Sequence, residues 1–588
     1  MNAEQSAKIV PRLIKLQKEC GGYLPQDQMR ELAVELEVPL YRLQAVASFF
    51  SHFRFDHPPR VEVLVCRDMA CHMAGSEALC DGLESLAAEI GGKQVHIAGT
   101  SCLGRCDKPI AISINDRYYC GRDEFEIADL VRAAMDRDAP ADRNFKGEAT
   151  PLKPTGWNID PYEGEPRFSV LKSLLQSDQF DAEREKLLKI IDESGLVGKG
   201  GPGAGPVKKW RAVINAPGTT KYVVCNADES EPGTFKDREL MLRLPHLVVE
   251  GVLIACAVLD AEKGYIYVRH EYPEQVKMLE RAIAQAKAIG LKRKLPNGST
   301  RRFDVEVFVS PGNYICGEQS ALIEVIEGKR AEPRQRPPDL EIQGLFGKPT
   351  LVNNVETLAW IPAIITHGGK WYSDLGINGA KGMRYTSVSG DVNKPGVYEV
   401  PLGITVGELL ELCGGMAGGD TFKAFAPSGP SGGFLPRYIP RDKLPASFVQ
   451  SVLTAEEKAY DLFKLPLDNN YFRYQLKGTM MLGAAHVFYG SRRRLLDEAI
   501  NSTEFYRNES CGKCVPCRMG SEKLVEIGHH HLGGPSGNEM ISLVEELGEV
   551  MSSSSICGLG QVAANPLLSL IEFFPDEAAP RGPSFQRA

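Results

Sequence analysis

Eight cysteines, four near each end of the chain, carry the strongest chemical signal in the sequence. In ESCGKCVPCRMG, Cys511, Cys514 and Cys517 recur at spacings of three, which turns their sulfurs toward the inside of one tight loop. Cys557, in SSICGLGQ, supplies a fourth thiol beside Gly558 and Gly560, where the backbone can approach closely and offer amide donors. A CxxCxxC run plus one distant cysteine is the pattern of a [4Fe-4S] cluster; a structural zinc site, the competing reading, is usually built from paired CxxC units. The second set is Cys66 and Cys71 in CRDMAC with Cys102 and Cys106 in CLGRC, each pair at the end of a strand-like run. Four thiolates on two converging loops suit a flat [2Fe-2S] core, with a redox-active disulfide or zinc as the alternative.

A second group of motifs is rich in glycine and in carboxylate or amide side chains. GLVGKGGPGAGPVKKW contains Gly198, Lys199, Gly200 and Gly201 ahead of Lys209, a loop able to wrap a phosphate with backbone amides while a lysine neutralises it. It is neither a Walker loop nor a Rossmann fingerprint, and alone such a loop is more often only a flexible connection. Its company is CNADESEPGTFKDR, NYICGEQSALIEVIEG and GKPTLVNNVETLA, in which Asn226, Asp228, Asn353 and Asn354 are short hydrogen-bonding groups suited to a ribityl chain or a flavin ring edge. Glu229 and Glu318 lie beside them and are the nearest candidates for catalytic acids, although no catalytic residue is fixed by the sequence. Singly, these could be helix caps or turn residues.

Such loops need a scaffold, and the chain is long enough for several. At 588 residues and 43% hydrophobic it exceeds what one core can hold. The net charge of −8 offers no footprint for nucleic acid, and no run reaches the apolar length of a membrane span, so a cytoplasmic protein without direct membrane insertion is expected. The 15 cysteines, without an export signal, favour metal or redox chemistry over disulfides. Periodicity divides the chain into a helical bundle over 1–57, a compact α/β unit over 58–136, a polar linker over 137–166 and a larger α/β unit over 167–379. A β-grasp-like unit follows over 380–440, then a poorly patterned insertion over 441–478 and a mainly helical end over 479–588. The fold class is therefore multidomain α/β.

Together the motifs closely resemble the NADH-binding flavoprotein subunit of respiratory complex I and the diaphorase subunits of NAD-linked hydrogenases and formate dehydrogenases. Residues 1 to about 135 resemble the thioredoxin-like [2Fe-2S] subunit that accompanies that flavoprotein, so the chain looks like a fusion of the two. The resemblance implies FMN held by Gly198, Lys199, Gly200, Gly201, Lys209, Asn226, Asp228, Glu229, Tyr314, Gly317, Glu318, Asn353 and Asn354. It also implies an NAD(P)H:acceptor oxidoreductase module in a larger redox complex, with other iron-sulfur and catalytic subunits of a hydrogenase, formate dehydrogenase or similar enzyme as partners. Glu231, Gln319 and Arg336 are the residues left to contact NAD(H). Three positions where the family offers aromatic rings read Ala204, Ala212 and Asp339; a stacked ring is worth about 1 to 3 kcal/mol per base. The alternative is a flavin and iron-sulfur relay or docking subunit that has lost nicotinamide binding.

Overall fold

A computed structural model describes residues 3–90, 92–136, 157–162, 166–201, 203, 205–295, 298–476, 480–532, 534 and 537–578. Most of the expected linker, together with Ala204, lies outside the described residues.

The N-terminal helices Ile9–Glu19, Gln26–Glu35 and Leu40–Ala47 follow the three apolar-periodic segments, with Pro25 and Pro39 standing immediately before the second and third. Their core is continuous with that of the larger α/β unit, because Ile9, Leu13 and Leu43 share a cluster with Ile323 and Ile326. Arg42 donates to the Glu327 carbonyl at 3.3 Å and Arg330 to that of Ala45 at 3.0 Å.

Beyond them, a four-stranded sheet runs Val95–Thr100, Val61–Cys66, Ala111–Ile114, Arg117–Cys120. Its first pair is parallel and the rest antiparallel. Both cysteine loops leave the parallel pair at the same edge, since Cys66 is in register with Thr100.

The larger α/β unit is built on four parallel strands in the spatial order Thr350–Asn354, Tyr222–Ala227, Lys263–Arg269, Val305–Ser310. The last strand in sequence sits beside the first, so the order reverses between Thr350–Asn354 and Tyr222–Ala227. Crevices at such reversals, beyond the carboxyl ends of the strands, are where open parallel sheets bind ligands. Asn226 and Asn354 are register partners at that edge. Two buried helices, Pro245–Leu259 and Val355–His367, pack behind the sheet; Gly251 is required there, because a Cβ would run into the Leu358 carbonyl.

A third sheet has the order Gly396–Pro401, Met383–Gly390, Ala485–Gly490, Phe422–Pro430, Leu435–Pro436. Its central strand, Ala485–Gly490, corrects the expectation that the chain is helical from residue 479. AHVFYG is buried at every position, and a continuous apolar run carries no alternation to mark it as a strand. The stretch read as a poorly patterned insertion is ordered too: Tyr438–Pro440 and Ala459–Asp461 pair antiparallel, and Leu467, Phe472 and Leu476 join the third sheet's core.

Helices Leu495–Glu509, Val515–His530, Gly537–Ser554 and Asn565–Phe573 close the chain. Ahead of all this, the segment from Trp157 to Tyr162 is strapped across the third sheet and the larger unit. Trp157 meets Tyr385 edge to face at 4.8 Å, the Asn158 amide donates to Glu399 at 2.9 Å, and the Tyr162 hydroxyl donates to Glu250 at 2.8 Å. Among the described residues no single helix is long and apolar enough to cross a membrane.

Candidate flavin and iron-sulfur site

The four C-terminal cysteines converge. Cys511, Cys514, Cys517 and Cys557 line one cavity whose remaining wall includes Ile315, Pro333 and Leu559. Cys514 is the cap residue of the helix Val515–His530, and Cys557 that of the short helix Gly558–Val562. Burial pushes the Cys517 thiol up to about 11 and the Cys557 thiol up to about 12, the latter opposed by the Gly560 and Leu559 amides that donate to its sulfur. Thiols ligate iron as thiolates, so cluster binding by these groups would release protons. Gly560 leaves room for the site, since a Cβ would lie 2.8 Å from that of Cys517. A tetrathiolate cavity with an apolar wall and amide donors fits a [4Fe-4S] cluster.

The N-terminal set also converges. Cys102 and Cys106 sulfurs are 3.4 Å apart, and the Cys66 thiol is hydrogen-bonded to those of both Cys102 and Cys71. All four residues are buried. The amides of Gly104 and Ala111 donate to Cys102 and Cys71, each at 3.4 Å, and that of Gly233 donates to Cys106 at 3.2 Å. Gly233 belongs to the larger α/β unit, so this site is completed from outside its own sheet. Four thiols with amide donors in a dry setting fit a [2Fe-2S] centre.

Between the two sets lie the glycine and acidic motifs. The Asn226 side chain donates to the Gly317 carbonyl at 2.9 Å and accepts from the Asp228 amide at 3.1 Å. A Cβ on Gly317 would stand 3.2 Å from the Asp228 carbonyl oxygen, and one on Gly200 would stand 3.0 Å from the Asn354 Cβ. Lys209 Nζ donates to the Val352 carbonyl at 2.8 Å and to Gln319 at 3.3 Å, while buried Trp210 donates to Asn353 Oδ1 at 2.9 Å. Gly200, Lys209, Asn226, Asp228, Gly317, Gln319, Asn353 and Asn354 thus gather at the strand-order reversal. Asp228 Oδ1 is buried there with no hydrogen-bond partner, and burial pushes that carboxyl up to about 7. An orphaned acceptor amid close-packed glycines and amides fits a polar ligand such as FMN.

Other expected residues are differently placed. Both Glu229 oxygens accept backbone amides, from Asp237 at 2.7 Å and Arg238 at 2.9 Å. Glu318 is the cap of the helix Gln319–Ile326, accepting from the Ser320 and Ala321 amides at 2.8 Å, and its other oxygen accepts from Arg336 at 3.1 Å. Lys199 Nζ reaches away to the Met383 carbonyl at 2.7 Å, and burial pushes its ammonium down to about 7. Gly198 and Gly201 stand in the same loop; the Gly201 carbonyl accepts from Asn469 at 3.2 Å. The Tyr314 hydroxyl bonds Glu231, whose carboxyl burial pushes up to about 7. Ala212, on the helix Pro206–Asn215, and Asp339 are exposed.

The sequence reading missed the residues that tie these sites together. Gly233 follows Asp228 by five positions, so one loop passes from the strand-order reversal to the N-terminal cysteines. Ile315 lines the C-terminal cysteine cavity while Tyr314 and Gly317 on either side face the acidic loop. Arg238, Arg269, Glu271 and Glu509 also join the units; Arg269 and Glu271 follow an apolar strand in YIYVRHEY, Arg238 sits on the helix Lys236–Arg243 and Glu509 ends the helix Leu495–Glu509, and none carries a local sequence signal of its contact.

Comparison with known proteins follows the same division. The Nuo51 FMN-binding domain matches residues 191–363, the NADH-ubiquinone oxidoreductase-F iron-sulfur binding region matches 497–581, the thioredoxin-like [2Fe-2S] ferredoxin matches 1–134 and the SLBB domain matches 385–435. An NADH-quinone oxidoreductase subunit of Mycobacterium tuberculosis is 35% identical over 443 residues, 73% of this chain and 94% of the relative. The NAD-reducing hydrogenase HoxS subunit alpha of Cupriavidus necator is 31% identical over 572 residues, 94% of this chain and 89% of the relative. NADP-reducing hydrogenase subunit HndC of Solidesulfovibrio fructosivorans is 35% identical over 67% of this chain and 75% of its own. A crystal structure of NAD+-reducing [NiFe]-hydrogenase in the H2-reduced state superposes with a TM-score of 0.80 at 28% identity, covering 97% of this chain and 93% of that one.

Proposed function

The chain belongs to the family of NADH-quinone oxidoreductase subunits that carry the Nuo51 FMN-binding domain, and from that premise we propose which of its residues do the family's work. It is a flavin and iron-sulfur electron-transfer subunit of a multisubunit redox complex, passing electrons between NAD(P)H and iron-sulfur clusters through FMN. We assign the [4Fe-4S] cluster to Cys511, Cys514, Cys517 and Cys557, and the [2Fe-2S] cluster to Cys66, Cys71, Cys102 and Cys106. The observation that carries the reading is the placement of the acidic loop, five residues from a cluster cysteine's amide donor on one side and hydrogen-bonded through Tyr314 to a wall of the other cluster cavity.

FMN, when bound, supplies the acceptance of a hydride and the release of single electrons. Around it, Asn226, Asp228, Asn353 and Asn354 are assigned to ribityl and ring-edge hydrogen bonds, and the loop of Gly198, Lys199, Gly200 and Gly201 with Lys209 to the phosphate end. Glu229 and Glu318 act by fixing helix ends beside the flavin rather than by moving protons, since their carboxylates already accept backbone amides. Glu231, Gln319 and Arg336 are assigned to the nicotinamide nucleotide.

Its partner is proposed to be a hydrogenase module in the cytoplasm, because similarity to the hydrogenase alpha subunit runs through the N-terminal fusion as well as the flavin region. The exposed Ala212 and Asp339, which offer no ring to stack on, favour a weak nucleotide site as the second reading. Anaerobic titration of the purified holoprotein tests this. Bleaching of the flavin band by NADH or NADPH supports the assignment, and an unbleached band at millimolar nucleotide would reduce the chain to a relay.

A further inference from the structure

Three consecutive carbonyls in the loop between Cys102 and Cys106 are each held by a different buried arginine. The Cys102 carbonyl accepts from Arg269 at 2.6 Å, that of Leu103 from Arg105 at 2.6 Å, and that of Gly104 from Arg238 at 2.7 Å. The three side chains are 4%, 3% and 8% exposed. Each guanidinium also lies over an aromatic ring: Arg105 over Tyr118 at 4.9 Å, Arg238 over Phe235 at 5.1 Å and Arg269 over Tyr272 at 5.3 Å.

Only Arg105 comes from the loop itself. Arg238 starts from the helix Lys236–Arg243 and grips Asp107 with both nitrogens, at 3.0 and 2.9 Å. Arg269 ends the strand Lys263–Arg269, and its other donors go to the Glu229 carbonyl at 2.7 Å and to Glu271 at 2.9 and 2.8 Å. It therefore bridges the cysteine loop and the acidic loop of the flavin site with one rigid group. Arg105 reaches the same neighbourhood, donating to the Glu271 carbonyl at 3.2 Å.

Holding the carbonyl side of a trans peptide fixes where its N–H points. The Leu103 carbonyl faces Arg105 while the N–H of that same peptide, on Gly104, faces the Cys102 sulfur at 3.4 Å. Gly104 has φ +70°, and a Cβ there would collide with the Tyr272 hydroxyl, so this peptide has no alternative setting. Adding an electron to a buried cluster adds negative charge, and both fixed amide donors and nearby cations favour that state.

We propose that Arg269, at the centre of this three-arginine cradle, is a positioning residue that raises the reduction potential of the N-terminal cluster and holds it in register with the flavin loop. The inference rests on the assignment of a [2Fe-2S] cluster to these cysteines. Its charge is balanced by Glu271, so the two residues pull the potential in opposite directions.

Redox-poised EPR of the full-length holoprotein tests it, with iron content and the two-iron signal measured first. Wild-type protein lacking a two-iron signal would defeat the cluster assignment itself. With the cluster present, Arg269→Gln lowers its potential by about tenfold in the equilibrium constant for reduction, or 59 mV for one electron. Glu271→Gln raises it, and Arg269→Lys, which keeps the charge, stays closer to wild type than the glutamine variant. Should Arg269→Gln fail to load iron, the direction of the Glu271→Gln shift decides alone. An unshifted or lowered potential in Glu271→Gln overturns the proposal.

Discussion

Cysteine chemistry dictates the residue-scale expectations. Cys557 stands 40 positions beyond Cys517, yet both line one cavity, so replacing Cys557 by Ser removes a corner of the cluster without touching the CxxCxxC loop. The expected outcome is loss or marked weakening of the [4Fe-4S] EPR signal with the [2Fe-2S] signal intact, and Cys106→Ser gives the reverse pattern. Trp210 makes a subtler test. Its indole donates to Asn353 Oδ1 within a fully buried setting, and Trp210→Phe strands that oxygen at a cost of about 1–3 kcal/mol. FMN affinity, measured by fluorescence recovery on titrating the apoflavoprotein, is expected to fall by about tenfold or more. At this scale the sequence is most legible for the eight cysteines, because a ligand set is written in spacing. It is least legible for Arg238 and Arg269, because a guanidinium that serves a distant loop looks, in sequence, like any charge on a helix or at a strand end.

At the scale of elements, close packing and buried acids set the outcomes. Gly251 lets the helices Pro245–Leu259 and Val355–His367 approach until a Cβ would meet the Leu358 carbonyl, so Gly251→Ala must push them apart. Overpacking of this kind costs about 1–3 kcal/mol, and the variant should show a lowered melting temperature and reduced soluble yield. The strap at Trp157 to Tyr162 brings a pH dependence. Burial pushes Glu250 up to about 7 from an ordinary value of 4.5, despite donors from Tyr162 and Leu171. The folded chain then keeps a proton that the unfolded chain gives up. The stability from this group is whole below pH 4.5 and is lost as pH rises through about 7, an effect of about 1–3 kcal/mol. Glu250→Gln should therefore lose less melting temperature than wild type between pH 5 and pH 8. The NKPG turn announces the hairpin Met383–Gly390 with Gly396–Pro401, whereas the strand Ala485–Gly490, buried at every position, falls in a stretch that reads as mainly helical.

At the scale of the whole molecule, the motifs proposed to hold the flavin lie on loops that lead to both cysteine sets. The strand-order reversal collects the flavin motifs, the acidic loop leads from them to Gly233 and Cys106, and Tyr314 to Gly317 lead to the C-terminal cavity. Fusing the thioredoxin-like region to the flavoprotein makes the cysteine site proposed for the [2Fe-2S] cluster a shared one, since an amide and two arginines reach its loop from the other unit. None of these contacts between units is written locally in the sequence, which lays out the parts and leaves their docking to tertiary structure. At the proposed dinucleotide end, the exposed Ala212 and Asp339 leave ring-stacking to other groups. The most direct measurement is rapid-freeze EPR after anaerobic mixing of the holoprotein with NADH, and separately with NADPH, beside a dithionite-reduced control. Passage of electrons through FMN predicts a reduced cluster signal with one nucleotide, appearing as the flavin absorbance is lost in stopped-flow mixing under the same conditions. Clusters that dithionite reduces but that both nucleotides leave oxidised at millimolar concentration would contradict it.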